Sequence, residues 1–258
     1  MKKCFILLIL ALSSITTFAQ QYKFQGSLTM SGAWPMGKFG SEDINDPKAG
    51  FADNGFMLDI ETAYYLNHRF SFAGMIFFGT NQVNSGVVGQ KLEARVNAID
   101  GIPENAFSDP NNIIFNVNYW LYGGLMAGPR YSLPISNLFL DFKALAGFNV
   151  TYLPEQNFFA EIRNDQDVLT EKFGTQSTGY SEITFSALAG TDLRIPVREN
   201  ISLKLSVNYF YSEVKMTFED LHIDNPGINA QIISLKKETS MIPVSTLNTG
   251  IGLVYYFN

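Results

Sequence analysis

From Tyr22 to the C-terminus, apolar and polar side chains alternate with a period of two in one segment after another. Successive side chains of a strand point to opposite sides of a sheet, so this period predicts strands whose two faces meet different surroundings. In one segment Ile201, Leu203, Leu205, Val207, Tyr209 and Tyr211 share a face, and Ser202, Lys204, Ser206 and Asn208 share the other. In a second, Leu138, Leu140, Phe142, Ala144, Ala146, Phe148 and Val150 oppose Asp141, Lys143, Gly147, Asn149 and Thr151. In a third, Ile183, Phe185, Ala187, Ala189, Leu193 and Ile195 oppose Glu182, Thr184, Ser186, Gly190, Asp192 and Arg194. The whole pattern predicts eight strands, over 22–34, 50–66, 69–82, 114–133, 137–153, 180–196, 200–218 and 243–257.

The connections alternate in length. Asn67-His68, Pro134-Ile135-Ser136 and Val197 to Asn200 are tight, whereas 35–49, 83–113, 154–179 and 219–242 are long. This alternation puts every tight turn at one end of an up-and-down antiparallel sheet, and an even strand count brings both termini to that end. Each strand reaches the roughly 9–11 residues that cross a bilayer when tilted, and short turns opposite long loops are the layout of outer-membrane barrels. The fold predicted is all-β: an eight-stranded antiparallel up-and-down transmembrane barrel with short periplasmic turns and four long extracellular loops.

Alternation alone leaves open which face points inward. The apolar face carries Phe, Tyr, Leu and Ile on nearly every strand, more bulk than the lumen of an eight-stranded barrel holds. The polar face, rich in Gly, Ser, Thr and Asn, suits that narrow interior. The polar face also collects Lys23, Asp59, Glu61, Arg130, Asp141, Lys143, Asp192, Arg194 and Lys204, mostly within a few residues of a tight turn or a terminus. They are expected to form one layer in the periplasmic half of the lumen, with signs that nearly balance, as buried charges require. Aromatic residues recur near the strand ends, at Tyr22, Trp34, Tyr64, Tyr131, Tyr152, Tyr209, Tyr255 and Phe257, where interfacial girdles sit.

Composition agrees. Charged residues make up 16% of the chain and aromatics 14%, against about 25% charged in a soluble domain. A net charge of −6 argues against a nucleic-acid partner, which needs a concentrated basic face. At the N-terminus Lys2 and Lys3 precede a short apolar core, Phe5 to Ala11, and Thr17-Phe18-Ala19 offers small residues at the cleavage positions. Residues 1–19 are expected to be a cleaved signal peptide and 20–258 the barrel domain. The one cysteine, Cys4, falls inside that signal, so the mature chain has no disulfide, thiol nucleophile or cysteine ligand. No periplasmic module is expected after the last strand.

The C-terminus reads Leu253-Val254-Tyr255-Tyr256-Phe257-Asn258. With the signal sequence and eight strands, this resembles the small outer-membrane β-barrel proteins of the OmpA transmembrane-domain, OmpX and OmpW types. The resemblance implies that Leu253, Tyr255 and Phe257 form the signal read by the barrel-assembly machinery, although Asn258 displaces the aromatic from the last place. It also implies outer-membrane lipid and lipopolysaccharide as surroundings.

The chain offers little for catalysis. His68 lies in a tight turn, which provides no enclosing pocket. His222 lies in Glu219-Asp220-Leu221-His222-Ile223-Asp224, whose spacing matches no standard metal-ligand pattern. Asp165 and Asp167 are loop acids with nothing to orient them. An acyl-transfer enzyme needs a base beside its nucleophile, so the chain is expected to be no enzyme and to carry no metal or cofactor. Leu92, Val96 and Ile99, within Gln90–Ile99, fall at helical spacing, so the second long connection fits either a short helix capping the mouth or an irregular loop. The function expected is that of a non-enzymatic barrel with a side-chain-filled lumen, whose loops serve envelope integrity or bind a ligand that the sequence does not specify. Alternatives are a small or hydrophobic solute channel, lined at its upper end by Asn116, Asn118, Trp120 and Tyr122, and an accessory subunit of a secretion machine.

Overall fold

The computed structural model describes residues 23–97, 113–163, 169–177, 181–224 and 231–257. Residues 1–19, expected to be a signal peptide and holding Cys4, together with Tyr22, Ile99, Asp165, Asp167 and Asn258, lie outside them. The strands are β1 (Phe24–Pro35), β2 (Ala52–Tyr65), β3 (Phe70–Val83), β4 (Ile113–Val117), β5 (Trp120–Ile135), β6 (Leu138–Tyr152), β7 (Gln156–Arg163), β8 (Leu169–Ser177), β9 (Ser181–Arg198), β10 (Ile201–Asp224) and β11 (Gln231–Phe257), with one helix, α1 (Ser85–Asn97), after β3.

Eight strands form a ring in the order β1-β2-β3-β5-β6-β9-β10-β11, every pair antiparallel, and β11 closes it by pairing with β1. Closure leaves no sheet edge inside this ring, as a barrel in lipid requires. The tight turns are built locally. Between β2 and β3 the Asn67 side chain accepts the backbone N–H groups of Arg69 and Phe70, both at 2.9 Å. Between β5 and β6, Ser136 turns the chain with a φ of 55°.

The long connections are more ordered than the sequence suggests. The 24 residues of β10, rising about 3.3 Å each, make a strand of about 80 Å. Only the part up to Ser212 pairs with β9; from Phe218 onward it pairs with β8, which pairs with β7, which pairs with β4. The expected loop over 219–242 is therefore largely a continuation of β10 and β11. The expected loop over 154–179 contains β7 and β8, and the expected strand 114–133 is broken at Asn118-Tyr119 into β4 and β5. Since only short links separate β4 from β5 and β6 from β7, the wall rises into an upper storey, β11-β10-β8-β7-β4, that stands on part of the ring. Helix α1 packs against β7 and β8.

Outside, the ring carries an apolar belt. Leu28, Ile60, Phe72, Ile76, Leu125, Phe148, Phe185, Leu205, Ile251 and Leu253 are all exposed. Along β11 the belt runs from Leu247 to Phe257, a rise of about 25 Å once strand tilt is allowed for. Its lower rim is aromatic: Phe24 lies 5.3 Å from Phe257, Phe70 lies 4.9 Å from half-buried Tyr131, and Tyr255 lies 4.9 Å from Phe257. Tyr64 pairs with Phe24 at the same level. At the upper rim Trp34 and Tyr209 flank Leu247 on adjacent strands, and Tyr152 ends β6.

Candidate functional site

Inward positions divide the lumen into two tiers. In the lower one, Arg130, Lys143, Arg194 and Lys204 face Asp59, Glu61, Asp141 and Asp192, and each of these side chains is at most 1% exposed. Arg194 grips Asp141 with two donors, Nε at 2.6 Å and Nη2 at 2.9 Å. It also donates to Tyr256 Oη at 2.7 Å and Gln25 Oε1 at 3.1 Å. Arg130 bridges Asp141 and Glu61, the latter at 3.0 Å. Lys143 lies 2.7 Å from Glu61 and 2.9 Å from Asp192. Lys204 lies 3.5–3.9 Å from Glu61, Asp59 and Asp192. Positive and negative groups match one for one, which a low-dielectric interior demands. Lys23 does not join them. It precedes β1, where the inward–outward alternation has not begun, and its side chain is exposed.

Above the charges a tier of apolar side chains fills part of the lumen, beside buried polar groups such as Asn149, Ser212 and Asn248. Met57, Met75, Phe77, Met126, Leu145, Leu188 and Phe210 point inward and are buried. Phe210 stacks on Tyr122 at 5.4 Å and meets Phe77 edge-on at 5.3 Å. Trp120 and Tyr122, expected to line an open upper lumen, are instead packing residues, with Trp120 Nε1 donating to Gly50 O at 3.1 Å and Tyr122 Oη to Asn81 Oδ1 at 2.9 Å. Asn116 and Asn118 are exposed and lie outside the ring, because the chain breaks before β5. Alternation hid this tier. Its signal is the run of adjacent apolar residues, as in Met57-Leu58, Phe77-Phe78 and Tyr209-Phe210-Tyr211, where a strand is apolar on both faces.

Two pieces pack at the mouth. The segment after β1 tucks in Phe39, 5.3 Å from the Trp120 ring, and Phe51, which is 2% exposed. Phe51 holds a φ of 50°, in the left-handed region that costs a non-glycine residue about 1–2 kcal/mol, so packing fixes it there. Helix α1 turns Val88, Leu92 and Val96 inward. Lys91 sits 4.6 Å above the Phe51 ring, where burial, and then the Arg95 charge, push its pKa down. Arg95 reaches Asp220 on β10 at 2.5 Å and Glu238 on β11 at 2.9 Å. Burial opposes its charge, but these carboxylates outweigh it and hold its pKa above the ordinary value. Charge-assisted hydrogen bonds contribute about 1.5–3 kcal/mol. Arg95→Leu is therefore expected to speed amide exchange across 85–97 roughly ten- to hundredfold while the barrel's own amides keep their protection. Unchanged exchange in α1 would show that packing alone holds it.

The remaining candidates lie apart from these groups. His68 is exposed in its turn. His222 stacks on Phe173 at 4.2 Å and lies 3.1 Å from Glu171. Asp220 is engaged with Arg95, so the acids around His222 do not converge. Among the described residues no group of three or more His, Cys, Asp or Glu could hold a metal ion. Leu253, Tyr255 and Phe257 all face outward on β11.

No protein-family model matches the chain, and no curated protein matches it. Solved structures do. A major outer membrane protein from Thermus thermophilus is 13% identical, over 90% of this chain and 99% of its own, with a TM-score of 0.44. The outer membrane protein OprG from Pseudomonas aeruginosa is 12% identical, over 91% and 95%, with a TM-score of 0.43. Neisserial surface protein A is 11% identical, over 91% and 97%, with a TM-score of 0.41.

Proposed function

We propose that this chain is a non-enzymatic barrel of the bacterial outer membrane, closed to solutes, whose working part is the folded upper storey held out at the cell surface for contact. The location rests on the apolar belt between aromatic rims, a surface that only lipid satisfies over so wide an area. The closed lumen carries the rest. From Arg194 at the turn end, through the Phe77, Tyr122 and Phe210 rings, to Phe39 and α1 at the mouth, side chains fill the axis. A packed mouth, together with strands far longer than a membrane needs, argues that the outer part is the useful one, since loops and their supports carry binding in rigid scaffolds. The channel alternative draws on Asn116, Asn118, Trp120 and Tyr122, of which the first two lie outside the ring and the last two are packed.

In planar bilayers the purified protein is expected to be silent across a salt gradient and under applied voltage. A steady open pore would overturn the closed-lumen reading.

A further inference from the structure

One stretch of the lumen wall is built unlike the rest. Ring neighbours Asp192, Ser206, Gly250 and Ser31 fall in one row across β9, β10, β11 and β1. The row just beside it runs through Lys204, Gly252 and Thr29 to Asp59. The side chains of both rows face inward and are at most 3% exposed, and neighbouring Asn208 is 1% exposed. Yet several of their polar atoms lack hydrogen-bond partners: Ser31 Oγ, Ser206 Oγ, Asp192 Oδ1, Asp59 Oδ1 and both ends of the Asn208 amide. Asp192 meets a cation only through Oδ2, 2.9 Å from Lys143 Nζ. The cation nearest Asp59 Oδ1 is Lys204 Nζ at 3.8 Å, and Lys204 donates one hydrogen bond, to Ser27 Oγ at 3.1 Å.

Glycines make room for this arrangement. A Cβ at Gly250 would lie 2.0 Å from Ser31 Oγ, and one at Gly190 2.0 Å from Asn208 Oδ1. The polar side chains therefore lie back against a bare wall rather than reaching across to each other. Across the ring, β3, β5 and β6 contribute Met75, Met126 and Leu145, which offer no hydrogen bonds. Buried polar groups are almost always satisfied, and a cluster with no protein partner calls for a small polar occupant.

We propose that this row is a buried hydration site, in which ordered water molecules bridge Asp192, Ser206, Asn208 and Ser31 and complete the hydrogen bonding of Asp59 and Lys204. The chemistry selects water over an anion, because carboxylates line the row, and over a divalent cation, because the three carboxylates that converge there, Asp59, Glu61 and Asp192, already surround the Lys204 ammonium, and no group of three among the described residues could hold a metal ion. Water in the middle of the lumen leaves the apolar tier of Phe77, Tyr122 and Phe210 as the barrier to flow.

The test is proton-detected NMR of the folded protein in lipid nanodiscs. Magnetisation transfer from water to the Asn208 side-chain amide is expected in the wild type. Its absence would overturn the proposal. Stability supplies a second reading that needs no assignment. If water holds Asn208, Asn208→Leu lowers the urea midpoint; if the row is dry, removing an orphaned amide leaves the midpoint unchanged or raises it, and the proposal fails. Density with short, metal-like contacts to Asp59 or Asp192 in a crystal structure would make the occupant a cation and would also overturn it.

Discussion

Glu61→Ala is expected to cost the barrel about 3–5 kcal/mol, the penalty for leaving buried charge without its partner. Glu61 meets Arg130 at 3.0 Å, Lys143 at 2.7 Å and Lys204 at 3.5 Å, with its own side chain 0% exposed. Removing it leaves one positive charge in excess inside the ring, with no water-exposed route for the guanidinium or ammonium groups to turn toward. Urea titration of the protein in lipid, followed by the gel shift that separates folded from unfolded barrels, reads the loss. Replacing Glu61 and Lys143 together with leucine keeps the layer neutral and is expected to recover a large part of the stability, since ion pairs exchanged for apolar side chains of similar size are often neutral. A loss under about 1 kcal/mol for Glu61→Ala is what an exposed pair gives. It would mean that bulk solvent reaches the layer and that the turn end is open.

The second large effect is expected on the outside. Ile76 stands mid-belt on β3 and is 58% exposed. Ile76→Arg is expected to destabilise the barrel by about 2–4 kcal/mol if lipid covers it, as charges at a bilayer midplane do. Ile232→Arg, on a residue 67% exposed in the upper storey, is expected to stay within about 0.5 kcal/mol, as surface substitutions usually do. The contrast between two similarly exposed isoleucines separates lipid from water directly. Equal, near-zero effects at both positions would remove the membrane reading and with it the proposed location.

The ring was legible in the sequence because its two faces meet different media. An apolar exterior and a neutral polar layer inside impose a period of two, so the register of Asp59, Glu61, Asp141, Lys143 and Arg194 can be read from alternation. The apolar tier was not legible on the same principle. Where Phe77 packs in the lumen and Phe78 faces outward, both environments select apolar residues and the period disappears. The upper storey was hidden for another reason. Leu221, Ile223, Ile232 and Ile233 sit among Glu219, Asp224, Lys236 and Lys237, a mixture that reads as a solvated loop. Pairing with β8 gives that mixture its order, and such a partner is distant in sequence: Phe218 pairs with Ser177 and Asp224 with Glu171. Helix α1 was half legible, because Leu92 and Val96 are spaced for a helix whereas the Arg95 contacts that pin it are with strands far along the chain.

The long pairing of β10, up to Asp224, with β11, from Gln231, has a mechanical consequence. A tug on the outer ends of these two strands, along their length, cannot peel them away one bond at a time. It must slide both strands past β9 and β1, loading many backbone bonds at once. A tether anchored this way yields far less readily than one that unzips, so whatever grasps the exterior would pull against the whole wall.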